Sequence, residues 1–309
     1  MITSSKTRAA LAVLSVAMLA AACSPPAAPP TASEAPSTGA VSQPATVAPS
    51  AAPATSSPSA SPGALDWSYA GATGPEHWAD LSDNYYACAD GVTQSPIEIA
   101  SADEKRERDP IFEYQAGTAR IVNDGHTIIA IPDGMNTIDV YHFSQFDVDE
   151  PEPTLVVDSP VSYLTQLQFH LPPEHVIAGA EPAAAEVQFV HQHPNGAFTI
   201  VGAMVVEGDK DDAAWAPYID AMGTPVGIEG VPATIDWPQL LPTALEAWHY
   251  DGSLTTPPCT ERVRWIFLME PIRLSAAQID KMRAAYDGNN RPLQPFGTYR
   301  ALTADLKDD

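Results

Sequence analysis

Two segments of alternating polar and apolar residues carry the side chains best suited to chemistry. They are TQLQFHLPPEH, residues 165–175, and AEVQFVH, residues 185–191. Because side chains alternate across a strand, each segment is predicted to present polar side chains on one face. Those side chains are Gln166, Gln168 and His170 in the first segment and Glu186 and Gln188 in the second. A histidine can bind a metal or exchange a proton, whereas a glutamine offers a metal only a neutral carbonyl oxygen, better suited to hard ions.

The elements that must position these residues are mostly predicted strands. Short runs rich in β-branched and aromatic residues, bounded by Asp-Gly, Asn-Gly or Pro turns, are typical of strands. Such runs cover residues 121–132, 163–171, 186–193, 197–206 and 263–272. The turn His193–Gly196 predicts an antiparallel hairpin, and Ala276–Tyr286 has the spacing of a helix. The predicted fold class is mainly β with a few short helices, in a single domain over residues 64–309.

The N-terminal region predicts export. In residues 1–22, Lys6 and Arg8 precede an uncharged run of fourteen residues, which is shorter than the roughly 20 residues of a spanning helix and is typical of a signal peptide. The run ends at Cys23 in a sequence that resembles a bacterial lipoprotein cleavage box, so Cys23 is the expected lipidation site. Ordinary signal-peptide cleavage before Cys23 is the alternative. We therefore expect an extracytoplasmic protein anchored to the cell membrane.

A second N-terminal segment, residues 23–63, predicts a disordered linker that begins at the lipidation site. It holds ten prolines among mostly Ala, Ser and Thr, with a single charged residue, Glu34. A segment of this composition has too few apolar side chains to form a core. We expect it to hold the folded domain away from the membrane anchor.

The charge of the domain limits its partners. The first 63 residues contain only three charged side chains, so nearly all of the 15 basic and 39 acidic residues lie in the domain, whose net charge is −25. A surface this negative repels nucleic acid and anionic lipid headgroups. Nucleic-acid partners are excluded, and contact with the membrane is expected through the lipid anchor.

Seven motifs occur in a fixed order along the chain. They are WSY (67–69), GPEHW (74–78), QSPI (94–97), NDGH (123–126), the two polar segments above, and GSLTTPPC (252–259). In this order they resemble the α-carbonic anhydrase family over residues 67–299. The resemblance implies a large, mostly antiparallel twisted sheet with a conical cleft that reaches its centre.

The resemblance also implies a reaction and the residues for it. In that family three neutral histidines hold Zn²⁺, and the metal lowers the pKa of a bound water to about 7 so that hydroxide can attack CO2. Four positions match residues that assist this reaction: Thr255 and Glu174, which orient the hydroxide, His126, the proton shuttle, and Tyr69, a hydroxyl at the rim. The apolar wall against which CO2 rests would be Val190, Ile200, Leu254 and Trp265.

The three zinc positions of the family fall on Gln168, His170 and Gln188. Two of the three histidines are therefore replaced by glutamine, and we expect no zinc cofactor. Two further histidines, His191 and His193, are predicted to lie on the strand face opposite Gln188, so they complete no tripod with His170 unless the strand bulges. A separate metal site at that pair is the alternative to packed histidines.

The cysteines predict a disulfide. If Cys23 is lipidated, Cys88 and Cys259 remain as an even pair in an oxidising compartment. The resemblance points to the same two positions, which match the disulfide of secreted family members. Two free buried thiols are the alternative.

Two functions follow from this sequence. The favoured one is an acatalytic carbonic-anhydrase-related lipoprotein, displayed at the cell surface, that binds an unknown protein or small-molecule ligand. The alternative is a weak or atypical zinc-dependent carbonic anhydrase, in which His170, glutamine carbonyls and water hold the metal. The double glutamine favours the first function, whereas Thr255, Glu174 and His126 favour the second.

Overall fold

The computed structural model describes residues 67–105, 110–139, 161–297 and 302–305, and all of them belong to one compact unit, Ala52–Asp309. The predicted signal peptide, Cys23 and the predicted linker lie outside the described residues. Within the described ranges no helix is both long and apolar enough to cross a membrane.

The described residues form fourteen strands. They are β1 (Glu98–Ile99), β2 (Asp103–Lys105), β3 (Ile111–Glu113), β4 (Gly117–Asn123), β5 (Ile128–Pro132), β6 (Thr137–Asp139), β7 (Val161–His170), β8 (Val176–Ile177), β9 (Ala185–Gln192), β10 (Phe198–Gly208), β11 (Gly227–Ile235), β12 (Ala247–Ser253), β13 (Glu261–Ser275) and β14 (Thr303–Asp305). The five predicted runs all lie on strands, and the run 121–132 divides into β4 and β5 at its Asp-Gly turn. The turn His193–Gly196 joins β9 to β10 as an antiparallel pair, as predicted.

One large mixed sheet dominates the fold. Its strand order is β11-β4-β5-β7-β9-β10-β13-β12-β14-β2, with β6 pairing to both β3 and β7, while β1 and β8 form a separate two-stranded sheet. Most neighbours run antiparallel, but the central pair β10 and β13 is parallel. The prediction of a mainly β, mostly antiparallel fold is therefore confirmed, with a parallel pair near the middle that the sequence pattern did not indicate.

The helices are short and lie in the connections. They are α1 (Trp78–Leu81), α2 (Ala87–Asp90), α3 (Ala216–Asp220) and α4 (Ala276–Ala285), with 3-10 turns at Gly71–Thr73, Pro75–His77, Asp83–Tyr85, Ala221–Gly223 and Trp237–Leu240. The longest, α4, matches the predicted helix. It begins at a capping box in which Ser275 and Gln278 satisfy each other's backbone N–H groups, and it buries Ile279 and Met282.

The two faces of the central strands belong to different cores. Along β7 and β9, alternate residues such as Leu167, Phe169, Val187 and Phe189 lie in the larger apolar cluster. The intervening positions face the other way, where the smaller cluster contains Val190, Ile200, Trp265 and Phe267. This second face also carries Gln166, Gln168 and His170 of β7 and Glu186 and Gln188 of β9, so the sheet has a polar region beside a small apolar core.

Candidate active site

Cross-strand register brings the polar side chains of β7 and β9 together. Gln168 lies directly opposite Gln188, and His170 lies opposite Glu186. All four side chains are buried, with Gln168 6% exposed and His170 fully enclosed. The predicted sharing of one face is thus observed, and the three positions that the resemblance assigns to zinc are neighbours.

Three glutamines on this face form a hydrogen-bonded chain, which we call the amide ladder: Gln166, Gln168 and Gln188. Gln188 Nε2 donates to Glu174 Oε2 and to Glu186 Oε1, both at 2.9 Å. Gln168 Nε2 donates to Gln188 Oε1 at 3.1 Å, and Gln166 Nε2 donates to Gln168 Oε1 at 3.1 Å. An ionised carboxylate only accepts hydrogen bonds, so it fixes which way the Gln188 amide points. Each further amide is then oriented by the one before it.

The imidazole of His170 is held at both nitrogens. Gln168 Nε2 lies 3.0 Å from His170 Nε2, and the orientation of the ladder makes the amide the donor. On the other side, His170 Nδ1 lies 2.5 Å from the carbonyl oxygen of Asn289 and 3.3 Å from Glu174 Oε1. Both of those groups accept, so Nδ1 carries the proton and Nε2 presents a lone pair to the amide.

These residues do not fit zinc. Zinc prefers imidazole or thiolate ligands, and the lone pair of His170 Nε2 is directed at an amide N–H rather than at an open position. The carbonyl oxygens of Gln168 and Gln188 each accept from the ladder, and an amide nitrogen is a donor without a lone pair for a metal. Among the described residues no group of three His, Cys, Asp or Glu side chains is arranged to hold a metal ion.

Two buried carboxylates anchor the ladder. Burial raises the pKa of Glu186, but His175 opposes this through its charge and hydrogen bonds, and the net effect lowers that pKa to about 2. The hydrogen bonds come from the backbone N–H of Glu174 and of His175 and from His175 Nδ1, at 3.0, 2.7 and 2.9 Å. Glu186 is therefore ionised at neutral pH and fixes the polarity of the Gln188 amide.

Glu174 is the second carboxylate that anchors the ladder, and it also accepts hydrogen bonds from Arg291 and Thr255. Burial raises its pKa and the negative charge of Glu186 adds to this, whereas hydrogen bonds from the Arg291 backbone and the Thr255 hydroxyl oppose it, and the net effect is a raised pKa. The Arg291 N–H donates to Glu174 Oε1 at 2.8 Å. The structure thus brings Thr255 and Glu174 into contact, which is the pairing that the resemblance implied for orienting a hydroxide.

The apolar residues assigned to the wall lie together beside the ladder. Val190 on β9 is opposite Gln166 on one side and opposite Ile200 on the other, and Ile200 is opposite Trp265. These three are at most 5% exposed, and the half-buried Leu254 packs against the same cluster. A polar row and an apolar row therefore meet between Gln166 and Val190.

The residues at the proton-shuttle and rim positions, His126 and Tyr69, lie in an aromatic cluster formed with the N-terminal motifs. His126 stacks on Trp67, with ring centroids 3.8 Å apart and planes within 8°. Tyr69 meets Trp67 and Trp78 edge-on, and its hydroxyl is buried with no hydrogen-bond partner among the described residues. His126 thus packs on Trp67 and does not join the amide ladder.

The predicted disulfide is present. Cys88 and Cys259 are bonded, which joins α2 to the loop that carries Leu254 and Thr255. The alternative of two free thiols is therefore wrong.

The histidine pair after Gln188 is packed. His191 is fully buried, and it lies 2.5 Å from the hydroxyl of Tyr114 and 3.2 Å from the carbonyl oxygen of Thr199. Burial lowers the pKa of His191 to about 3, which keeps the ring neutral. His193 is 7% exposed, so these histidines are not a surface metal site.

Two further site residues, which were not predicted from the sequence, lie beyond α4. Asn289 accepts from His170 through its carbonyl oxygen and donates its side-chain amide to the carbonyl oxygen of Phe169 at 2.8 Å. Arg291 donates its guanidinium to Gln94 Oε1, to the carbonyl oxygen of Ser95 and to that of Cys88. Both residues are more than 100 positions from their partners.

Comparison with known proteins agrees with this fold. The family model described as eukaryotic-type carbonic anhydrase matches residues 73–303. The carbonic anhydrase of Pectobacterium carotovorum is 34% identical over 244 residues, which cover 75% of this chain and 88% of that protein. The carbonic anhydrase of Neisseria gonorrhoeae is 32% identical and covers 74% of this chain and 84% of that protein.

Solved structures give the same result. The α-carbonic anhydrase of Thermovibrio ammonificans, in complex with the inhibitor sulfanilamide, is 34% identical and covers 78% of this chain and 100% of that chain, with a TM-score of 0.67. The α-carbonic anhydrase of Photobacterium profundum is 31% identical, with coverage of 77% and 100% and a TM-score of 0.65. The chain therefore belongs to the eukaryotic-type, or α-class, carbonic anhydrase family.

Proposed function

We propose that this chain does not hydrate CO2 through a zinc hydroxide and instead serves as a ligand-binding domain built on the carbonic anhydrase fold. One observation carries the proposal: Gln168 Nε2 donates to the Nε2 lone pair of His170. His170 is the single histidine among the three positions assigned to zinc, and this lone pair is the one with which its imidazole would bind the metal. The polar residues therefore satisfy one another and leave no ligand set for the metal.

The energetics of metal entry support this proposal. Zinc at this position would have to displace the Gln168 amide from His170 and turn the carbonyl of Gln188 inward. Turning Gln188 would remove its N–H groups from Glu174 and Glu186, which are both fully buried. The hydrogen bond to the ionised Glu186 contributes roughly 1.5–3 kcal/mol, so the binding of zinc would have to offset at least that loss, with His170 as its single imidazole ligand among the three assigned positions.

A weak hydratase is the second candidate, and a specific observation favours it. The Thr255 hydroxyl contacts Glu174, as needed to orient a metal-bound hydroxide, and the relatives are named carbonic anhydrases. In that case His170, glutamine carbonyls and water would hold the metal, and the family chemistry would be zinc-assisted attack of hydroxide on CO2. His170→Ala should then abolish both metal content and activity.

A single set of variants separates the two candidates. Zinc content and CO2 hydration are measured on the wild type, on Gln168→His/Gln188→His, and on the matched control Gln115→His/Gln239→His, which changes two exposed glutamines. We expect zinc and sulfonamide-sensitive hydration in the first double variant alone. Near-stoichiometric zinc together with hydration in the wild type would overturn the proposal.

The setting of the domain is also proposed. We infer a surface-displayed lipoprotein, anchored through Cys23, whose binding partner is a protein or a small molecule. The uncharged run before Cys23 and the proline-rich residues after it support this inference. Labelling with radioactive palmitate should mark the wild type, and Cys23→Ala should remove the label and release the protein from membranes. Equal labelling of both would rule out the anchor.

A further inference from the structure

An apolar groove lies on the side of the sheet opposite the amide ladder. It is lined by aromatic rings, proline rings and leucines: Phe112, Tyr114, Pro238, Leu241, Pro242 and Leu245. Five of these residues are half-buried or exposed, and Tyr114 is the most buried of them, at 8% exposed. Tyr114 belongs to the larger apolar cluster, and Phe112, Leu241 and Leu245 pack against that cluster. The groove is therefore separate from the site on β7 and β9.

Hydrogen bonds hold the aromatic wall of the groove in one orientation. His191 Nδ1 lies 3.2 Å from the carbonyl oxygen of Thr199, and His191 Nε2 lies 2.5 Å from the hydroxyl of Tyr114. Because a carbonyl oxygen only accepts, Nδ1 donates to Thr199 and Nε2 accepts the hydroxyl hydrogen of Tyr114. The ring of Phe112 meets that of Tyr114 edge-on, with centroids 5.3 Å apart. The wall that a ligand would contact is thus preformed.

The lining side chains disfavour a ligand with many N–H groups. Five of the six have no hydrogen-bonding group, and the sixth, Tyr114, uses its hydroxyl hydrogen on His191. An N–H that is buried against such side chains loses its water without gaining a partner, which costs free energy. Proline has no backbone N–H, so a proline-rich segment avoids most of this cost.

The size of the groove indicates an occupant that inserts only part of itself. Its volume is about 260 Å³, below the roughly 300–1,000 Å³ of sites that enclose drug-sized molecules. One or two ring-sized side chains of a longer ligand would fill it. A polyproline II segment repeats every three residues, has a solvated backbone and is largely ordered before it binds, and aromatic-lined grooves are the surfaces that recognise it.

The charge around the groove favours a basic ligand. Neither of the two stretches that form the groove, residues 110–119 and 235–247, contains Lys or Arg. The same stretches carry three exposed carboxylates, Glu113, Asp236 and Glu246. The domain as a whole has a net charge of −25. Cationic residues beside the inserted rings would be attracted, and anionic residues would be repelled.

We propose that this groove binds a proline-rich segment of a partner protein, in the polyproline II conformation and flanked by basic residues. Its proline rings pack between the aromatic wall of Phe112 and Tyr114 and the opposite wall of Pro238 and Leu241. The inference goes beyond the proposed function, because it concerns another face of the sheet and holds whether or not the ladder binds zinc.

Three capped peptides test the chemistry of the ligand: RPPLPPLPR, EPPLPPLPE and RAALAALAR. Binding of each to the full chain is measured by calorimetry. We expect the first to bind and the third to bind at least about tenfold more weakly, since each change from proline to alanine removes two CH2 groups from the contact. The glutamate peptide should also bind about tenfold more weakly, and added salt should narrow that difference. Failure of the first peptide to bind, or equal binding of either other peptide, would overturn the inference.

Three variants test the location. Leu241→Asn places an amide in the groove, and Pro238→Ala removes an exposed ring from it without affecting the core. Each should weaken binding of RPPLPPLPR by about tenfold, and Pro238→Ala remains informative if Leu241→Asn does not fold. The control Leu293→Asn changes a leucine outside the groove that is 43% exposed, and it should leave binding unchanged. Binding that survives Pro238→Ala, or that the control weakens equally, would overturn the placement.

Discussion

Replacing Gln188 by leucine tests whether the amide ladder stabilises the fold in place of a metal. Leucine has nearly the same size but removes both N–H donors from Glu174 and Glu186 and the acceptor for Gln168. Because the hydrogen bond to the ionised Glu186 is worth roughly 1.5–3 kcal/mol and the lost bond to the buried Glu174 costs about 1–3 kcal/mol more, we expect a loss of about 3–5 kcal/mol at neutral pH. That is a large part of the roughly 5–15 kcal/mol that stabilises a typical domain.

The effect of Gln188→Leu should also depend on pH. The pKa of Glu186 is lowered in the folded protein from 4.5 to about 2, so its stabilising contribution is present above pH 4.5 and is lost as the pH falls toward 2. This contribution amounts to about 3 kcal/mol in the wild type. Removing a donor raises the folded pKa of Glu186, so the difference between variant and wild type should shrink below pH 4.5.

The assay is urea unfolding followed by tryptophan fluorescence at pH 7 and at pH 3, with Gln192→Leu as the control on the same strand. Gln192 is only half-buried, and a substitution there should change the free energy of unfolding by about 0.5 kcal/mol or less. A Gln188→Leu variant as stable as this control would refute the anchoring role of the ladder. So would a loss that is the same at both pH values.

Two further outcomes follow from other parts of the domain. Cys88→Ser/Cys259→Ser should lower the free energy of unfolding by about 5 kcal/mol in the chain-entropy model, since the disulfide joins residues 171 positions apart; urea unfolding of variant and wild type measures this. The pKa of His191 is lowered from 6.5 to about 3 by burial, so stability should fall by about 2 kcal/mol between pH 7 and pH 5. His191→Gln should remove that fall, and an unchanged pH profile would contradict it.

Much of the fold was predictable because its strands follow a simple pattern. The alternation of polar and apolar residues from Gln166 to His170 places those polar side chains on one face, and the structure shows that face. The residue-by-residue pairing of β7 with β9 was harder to predict. Gln168 pairs with Gln188 in a register that is irregular between Leu164 and Gln166. A single sequence carries no local signal for that offset.

The polar partners of the site were less accessible to sequence reasoning. Asn289 and Arg291 reach His170 and Glu174 from beyond α4, and they bind mainly through backbone groups. A backbone N–H or carbonyl is present at every position, so residue type gives no indication of its use. The direction of the glutamine amides also depends on the hydrogen bonds that surround them, which become visible only when all partners are in place.

The glutamines at positions 168 and 188 depend on each other for their hydrogen bonds. Gln188 must direct its nitrogen at Glu174 and Glu186, so its oxygen faces β7, where a group that donates is needed. Gln168 supplies that group and, with the second hydrogen of the same nitrogen, donates to the lone pair of His170. An apolar residue at position 168 would leave Gln188 Oε1 and His170 Nε2 buried without a donor, each at a cost of about 1–3 kcal/mol. The site therefore remains satisfied without a metal because both positions carry an amide.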